Sequence, residues 1–278
     1  MVGKKSLASR IIGKIFFVLF IIIVVWPFAW LLITSFKSPS DITAIPTDLY
    51  PKHPSLEFFK LCFTEHHLGK YLLNSVIVSS IAMVLSIVVA LPAAYAFSRY
   101  KFKYKDFWQR FILVANMFPV IAIVTPMFII FKKIGLINTY WGLIIPSVIL
   151  ILPMAIWTMI AFIKTLPFEL EEAAMVDGCN RFQSVVKIIL PLCAPGIFTT
   201  GIIAFINAWN EMMFSLILVT KDAMRTVPVA ISFFQGEHTV PWGDMAAASI
   251  IATLPIIVVV LICQKKIVAG LTTGAIKG

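Results

Sequence analysis

Six apolar runs, each long enough to cross a bilayer, alternate with polar stretches along this chain. A spanning helix needs roughly 20 predominantly apolar residues, and such runs fall at 15–36, 72–97, 111–131, 141–163, 195–218 and 245–263. The pattern predicts an all-α polytopic membrane protein with six transmembrane helices and both termini on one side. The first run is too long for a signal-peptide core and has no small-residue cleavage site after it, so it reads as a retained helix. Prolines punctuate nearly every run (Pro27, Pro92, Pro119, Pro126, Pro146, Pro153, Pro195 and Pro255). In a membrane helix each frees a carbonyl that neighbours or water must satisfy, which suits ordinary bending and also a bundle that lines a cavity.

Composition agrees with the pattern. Hydrophobic residues make up 60% of the chain and charged residues 13%, with a mean hydropathy of +0.97, which excludes an ordinary soluble domain. The net charge of +10 does not gather into a basic patch interleaved with aromatics, so nucleic acid is not an expected partner.

The 23 Lys and Arg instead follow the loops. Residues 1–14, 99–110, 164–194 and 264–278 carry four, five, three and three, and the alternate loops carry four, two and two. Fifteen against eight places both termini in the cytoplasm by the positive-inside rule. The 37–70 segment, with Pro39, Pro46, Pro51 and Pro54, becomes an external loop with a short helix expected around 55–63. In the loop at 99–106, basic and aromatic residues alternate and suit anionic lipid headgroups. Asp106 and Gln109 are spaced as a capping box for the third helix.

Candidate chemistry is sparse. Cys62, Cys179, Cys193 and Cys263 have no ligand spacing, and His66 and His67 have no accompanying ligand cluster, so no disulfide framework or metal site is expected. No nucleophile with a base and no His-Glu-x-x-His motif occurs, which argues against a membrane-embedded enzyme. Glu211 is the only carboxylate inside an apolar run, accompanied by Asn207, Trp209 and Asn210. An intramembrane ionisable group is a functional candidate by default. Asn and Trp suit a sugar, through hydrogen bonds and a flat face for stacking. The alternative for Glu211 is a hydrogen bond that holds helices together.

The polar interruption between the fourth and fifth runs carries the strongest local signals. Thr165 is placed to cap a helix beginning near Pro167, with Glu169, Glu171 and Glu172 in its first turns, where carboxylates favour the helix dipole. Gly178 is the expected left-handed stop, and Asn180 with Gln183 is spaced to cap a second helix. Ala173 and Ala174 keep one face of the first helix small.

Glu172-Ala173-Ala174, then Gly178, Ile188, Leu190 and Pro191, keep the spacing of the cytoplasmic signature of permease subunits of binding-protein-dependent ABC importers, and the chain resembles that family. Gly135 to Gly142, Trp209-Asn210-Glu211 and the tail from Gly270 to Gly278 resemble its carbohydrate branch, in particular the maltose-type second permease. The resemblance implies an ABC type I importer permease fold in a bacterial or archaeal cytoplasmic (inner) membrane. The divisions are then 1–70 for the first helix and external loop, 71–264 for the permease core with its coupling helix at about 167–190, and 265–278 for a cytoplasmic tail.

It further implies that Glu169, Glu172, Ala173, Ala174, Asp177, Gly178 and Asn180 couple to an ATPase, and that Asn207, Trp209, Asn210 and Glu211 line a sugar pathway. The implied partners are a second homologous permease, two ATPase subunits, an extracytoplasmic sugar-binding protein and membrane lipid. No Gly-x-x-x-x-Gly-Lys-Ser/Thr loop is present, so ATP and Mg are expected on the ATPase and no cofactor on this chain. The competing readings are a permease for a non-sugar solute, such as an amino acid or phosphate, and an ion-coupled secondary transporter, for which more intramembrane charges would be expected.

Overall fold

The computed structural model describes residues 7–46, 48–234 and 240–275, without the side chains of 7–10, 12 and 264–275. In chain order its helices are α1 (Leu7–Ser35), α2 (Pro39–Ile42), α3 (Glu57–Thr64), α4 (Leu68–Arg99), α5 (Lys105–Asn116), α6 (Val120–Lys133) and α7 (Tyr140–Thr165). There follow α8 (Glu169–Val176), α9 (Arg181–Ser184), a π turn at Val185–Ile189, α10 (Leu190–Leu192), α11 (Ala194–Trp209), α12 (Met213–Leu218), α13 (Val227–Ser232) and α14 (Trp242–Ala275). No strand occurs among the described residues.

Four segments, Gly13–Ser35, Leu68–Arg99, Tyr140–Thr165 and Trp242–Cys263, are long and apolar enough to cross a membrane as single helices. They match the first, second, fourth and sixth predicted runs. The third run departs from expectation: it is two helices, α5 and α6, meeting at 91°. Pro119 has no N–H to continue the ladder and disfavours helical geometry at Phe118, so α5 ends in two tight bonds, Met117 N to Val114 O and Phe118 N to Ala115 O.

The fifth run is also interrupted. Its helix α11 stops at Trp209, and residues 210–212 separate it from α12. Upstream, α9 to α10 meets α11 at 72°. Counting each bent pair as one span gives up to six. The π turn precedes Pro191, whose ring nitrogen has no proton to donate; Leu190 N reaches back to Val185 O instead.

By contacts the chain forms two units, one of residues 1–68 with 231–254 and one of 69–230 with 255–278. The first unit joins 231–254 to a segment that ends at residue 68, where the expected division ran 1–70. Within it, Lys37 is buried, donates to Asp48 O at 2.7 Å and lies over the Trp30 ring. Cys62 is wholly buried and its thiol lies 3.6 Å from Asp244 O. His66 Nε2 is 3.6 Å from Asp244 Oδ2 and stacks on Phe234.

The second unit holds the main core. Val78, Ala82, Ala90 and Ala94 of α4 share one buried cluster with Ala155, Met159 and Ile163 of α7 and with Ala204 and Ala208 of α11. Small residues let membrane helices approach closely, where van der Waals packing replaces a hydrophobic driving force. At Gly196 of α11 a Cβ would run into the Phe162 ring of α7, which occupies the space a side chain would need. At the end of this bundle Asn138 Oδ1 accepts from Thr220 N and Lys221 N, both at 2.8 Å, and ties the α6–α7 turn to the exit of α12. Tyr140 donates to Asn74, whose amide donates to Ala223 O and Arg225 O.

Two expected caps are absent. Tyr104, at φ 63°, precedes α5 with no side-chain cap, and Gln109 Nε2 is buried without a partner, so Asp106 and Gln109 form no capping box. Thr165 donates to Phe162 O at 2.7 Å, so its hydroxyl turns back into α7 instead of capping α8. The side chains of Lys265 and Lys266 and residues 276–278 lie outside the described residues, although α14 continues in helical backbone to Ala275.

Candidate functional site

The turn between α8 and α9 is built from local rules. α8 begins with Glu169, Glu171 and Glu172 in its first turn, where the free N–H groups favour negative charge. It ends in a Schellman motif: Gly178 N donates to Met175 O at 3.1 Å and Cys179 N to Ala174 O at 3.0 Å. Gly178 sits at φ +88°, left-handed geometry that a β-carbon would oppose. Asn180 and Gln183 then form a capping box, with both bonds at 2.9 Å.

The faces of α8 are distinct. Glu169, Glu172, Ala173, Val176, Asp177 and Gly178 are exposed, as is Asn180 beyond them, and Val176 reaches 86%. Ala174 is 3% exposed, because it lies three residues after Glu171 and shares its inward face. Of the residues expected to couple to an ATPase, Ala174 is thus the one turned inward. Phe182, at 76% exposure, extends the apolar part of the surface.

Three residues that the sequence did not single out as a site fix the inner face. Arg99 Nε donates to Glu171 Oε1 at 2.5 Å, and Tyr95 Oη donates to Oε2 at 2.6 Å. Arg99 Nη2 also donates to Leu166 O at 2.9 Å. The signal that could have found them is an Arg closing a long apolar run, with a cluster of three Glu in the next polar interruption expected on the same side.

A cavity of about 250 Å³ lies among α5, α7 and α11. Asn116, Thr158, Thr200 and Asn207 provide its polar atoms, with Leu150, Met154 and Ile203 among the apolar ones. Asn207 Nδ2 donates to Ile203 O at 2.8 Å, which leaves its Oδ1 for a ligand. Thr158 Oγ1 donates to Met154 O and keeps its lone pairs.

The other three pathway candidates fall elsewhere. Trp209 is 3% exposed and stacks on Phe205 at 5.7 Å, so its ring face is covered by core. Asn210 is exposed at the C-terminus of α11. Glu211 Oε1 and Oε2 accept from Phe214 N at 2.8 Å and Ser215 N at 3.1 Å, so this carboxylate caps α12. Sequence reasoning missed Asn116, Thr158 and Thr200. Asn116 was visible as a lone amide just before Pro119, whereas the threonines resemble any helix-buried hydroxyl. Among the described residues no group of three or more His, Cys, Asp or Glu is placed to hold a metal.

The chain thus combines bent membrane-length helices, a polar-lined cavity and an exposed helical turn between two of the helices. Residues 82–272 match the model of the binding-protein-dependent transport system inner membrane component family, and the chain belongs to that family.

The sulfoquinovosyl glycerol transport system permease protein SmoH of Agrobacterium fabrum is 36% identical over 253 residues, covering 91% of this chain and 89% of the relative. The trehalose/maltose transport system permease protein MalG of Thermococcus litoralis is 39% identical over 278 residues, covering 99% of each. The trehalose transport system permease protein SugB of Mycobacterium tuberculosis is 41% identical over 254 residues, covering 91% of this chain and 92% of the relative. A crystal structure of a bacterial ABC transporter involved in the import of the acidic polysaccharide alginate contains a chain with the same fold, at a TM-score of 0.80 and 20% identity over 95% of this chain and 99% of that one. The chain is thus an integral inner-membrane permease component of all-α architecture.

Proposed function

We propose that this chain is one of two homologous permease subunits of an ATP-driven sugar importer, with both termini in the cytoplasm. Two ATPase subunits bind ATP and Mg and dock on α8, and an extracytoplasmic sugar-binding protein delivers the cargo. The observation that carries the reading is the outer face of α8: three carboxylates, Glu169, Glu172 and Asp177, beside exposed Val176, held rigid by the Gly178 turn. A helix exposed with such a surface suits a basic, partly apolar cleft on a partner.

Sugar as cargo is supported by the relatives named for trehalose, maltose and sulfoquinovosyl glycerol, and by a cavity whose polar atoms are neutral amides and hydroxyls. Its volume lies below the usual range of about 300–1,000 Å³ for small-molecule sites. That fits half of a pathway completed by the second permease. The chain makes and breaks no bonds; closure of the ATPase pair drives alternating access.

Three measurements test the proposal. In the reconstituted complex, Val176→Cys should be shielded from a thiol reagent by the ATPase subunits, and Gly178→Val should insert normally yet lose uptake. Sugar-loaded binding proteins should stimulate ATP hydrolysis; stimulation by amino acids or ions alone would overturn the cargo assignment.

A further inference from the structure

Arg99 is the last residue of α4, and its guanidinium holds three elements together. One edge meets Glu171 on α8 at 2.5 Å, another donates to Leu166 O at the end of α7 at 2.9 Å, and its carbon lies 5.6 Å from the ring centre of Phe168 in the α7–α8 link. Tyr95, one turn earlier on α4, occupies the second carboxylate oxygen at 2.6 Å. The Arg99 and Glu171 side chains are 9% and 3% exposed.

A buried ion pair is a poor stability device, because desolvation offsets most of the attraction and apolar residues of similar size often do as well. What the planar fork adds is direction: two donors at fixed angles set the position and tilt of the helices they join. Besides this contact and its own links, α8 packs on α9 and on the π turn before Pro191. On its other faces α4 carries Ala82, Ala90 and Ala94 into the core shared with α7 and α11, and Gly201 of α11 faces Ile87 and Met83.

We infer that Arg99, Glu171 and Tyr95 form a clasp that makes α8 and α4 one rigid body, so that a push on α8 moves α4 and, through its small-residue face, α7 and α11, two of the three helices lining the cavity. The clasp residues are positioning residues; they act through α4 and touch no cargo. The inference rests on the coupling role of α8 proposed above.

The test uses the complete permease–ATPase complex in lipid, with spin labels at Val176→Cys on α8 and Val88→Cys on α4, both exposed positions, and with Cys179 and Cys263 replaced by serine. Shielding of Val176→Cys by the ATPase is measured first, and its absence would sink the docking reading itself. With shielding present, the α8–α4 distance should stay constant between nucleotide-free and ATP-bound states, at a resolution of about 1–2 Å, the usual scale of helix shifts at interfaces.

Arg99→Lys keeps the charge but not the fork, and should make that distance nucleotide-dependent. It should also abolish the ATP-dependent change in thiol reactivity at Asn207→Cys. Tyr95→Phe, which leaves the ion pair in place, should broaden the distance distribution in the same direction. A distance that already changes in the native clasp, or an Arg99→Lys complex indistinguishable from native in both readouts, would overturn the inference. A purely structural role would lower the melting temperature and leave the distance insensitive to nucleotide.

Discussion

At the scale of single residues, Glu211 separates what a sequence reveals from what it hides. A lone carboxylate in an apolar run is conspicuous, but its task depends on where the next helix starts, and that is set by the break at 210–212. Both its oxygens are used by α12, so Glu211→Ala should lower the melting temperature by the loss of a cap, about 0.5–2 kcal/mol, and leave the range of transported solutes unchanged. Thermal unfolding in detergent with a parallel uptake screen checks both halves. The Arg99–Glu171 pair was harder to read for a different reason: its partners are 72 positions apart, and the sequence offers three Glu in the facing interruption without saying which of them Arg99 meets.

Asp41 gives a residue-scale dependence on pH. The backbone N–H of His53, at 2.9 Å, holds this carboxyl below its ordinary value, against the opposing effect of burial. A group whose pKa is depressed in the folded state stabilises that state above its unfolded pKa, and the contribution is lost as pH falls through the folded value. Amides near His53 should therefore show lower protection factors, that is exchange normalised to the intrinsic rate at each pH, in strongly acidic buffer than at neutral pH. Asp41→Asn should remove most of that difference; an unchanged acid response in the variant would contradict the assignment.

At the scale of elements, legibility follows the range of the cause. The stop at Gly178 and the Asn180–Gln183 box were readable because each is decided within six residues. The Thr165 cap failed because its hydroxyl found a nearer acceptor in its own helix, at Phe162 O. The apolar run at 111–131 concealed a right-angle bend, since hydropathy does not register the geometry that Pro119 imposes.

Packing between α7 and α11 yields a sharper expectation. Gly196→Ala would place a methyl about where the Phe162 ring sits, and overpacking of this kind costs about 1–3 kcal/mol. The single variant should melt lower, and Gly196→Ala with Phe162→Leu should recover part of the loss. Additive losses in the double variant would show that the two residues are not coupled.

For the whole molecule, the bends have a common result: they bring Asn116, at the end of α5, to the same cavity as Asn207 near the end of α11. No run of apolar residues predicts that meeting, because it depends on the third run being broken. The class of fold and the α8 turn were readable from pattern and resemblance, whereas the polar lining emerged only from packing. If these two amides hold the cargo, each contributes about one hydrogen bond, worth about 0.5–1.5 kcal/mol. Asn116→Leu and Asn207→Leu should each then raise the half-saturating sugar concentration by about 2- to 13-fold. The shielding of Val176→Cys by the ATPase should persist in both, since docking is read at a different surface. Uptake kinetics in vesicles with the matched binding protein decide the matter: unchanged half-saturation in both variants would remove this cavity from the pathway and leave the α8 assignment standing.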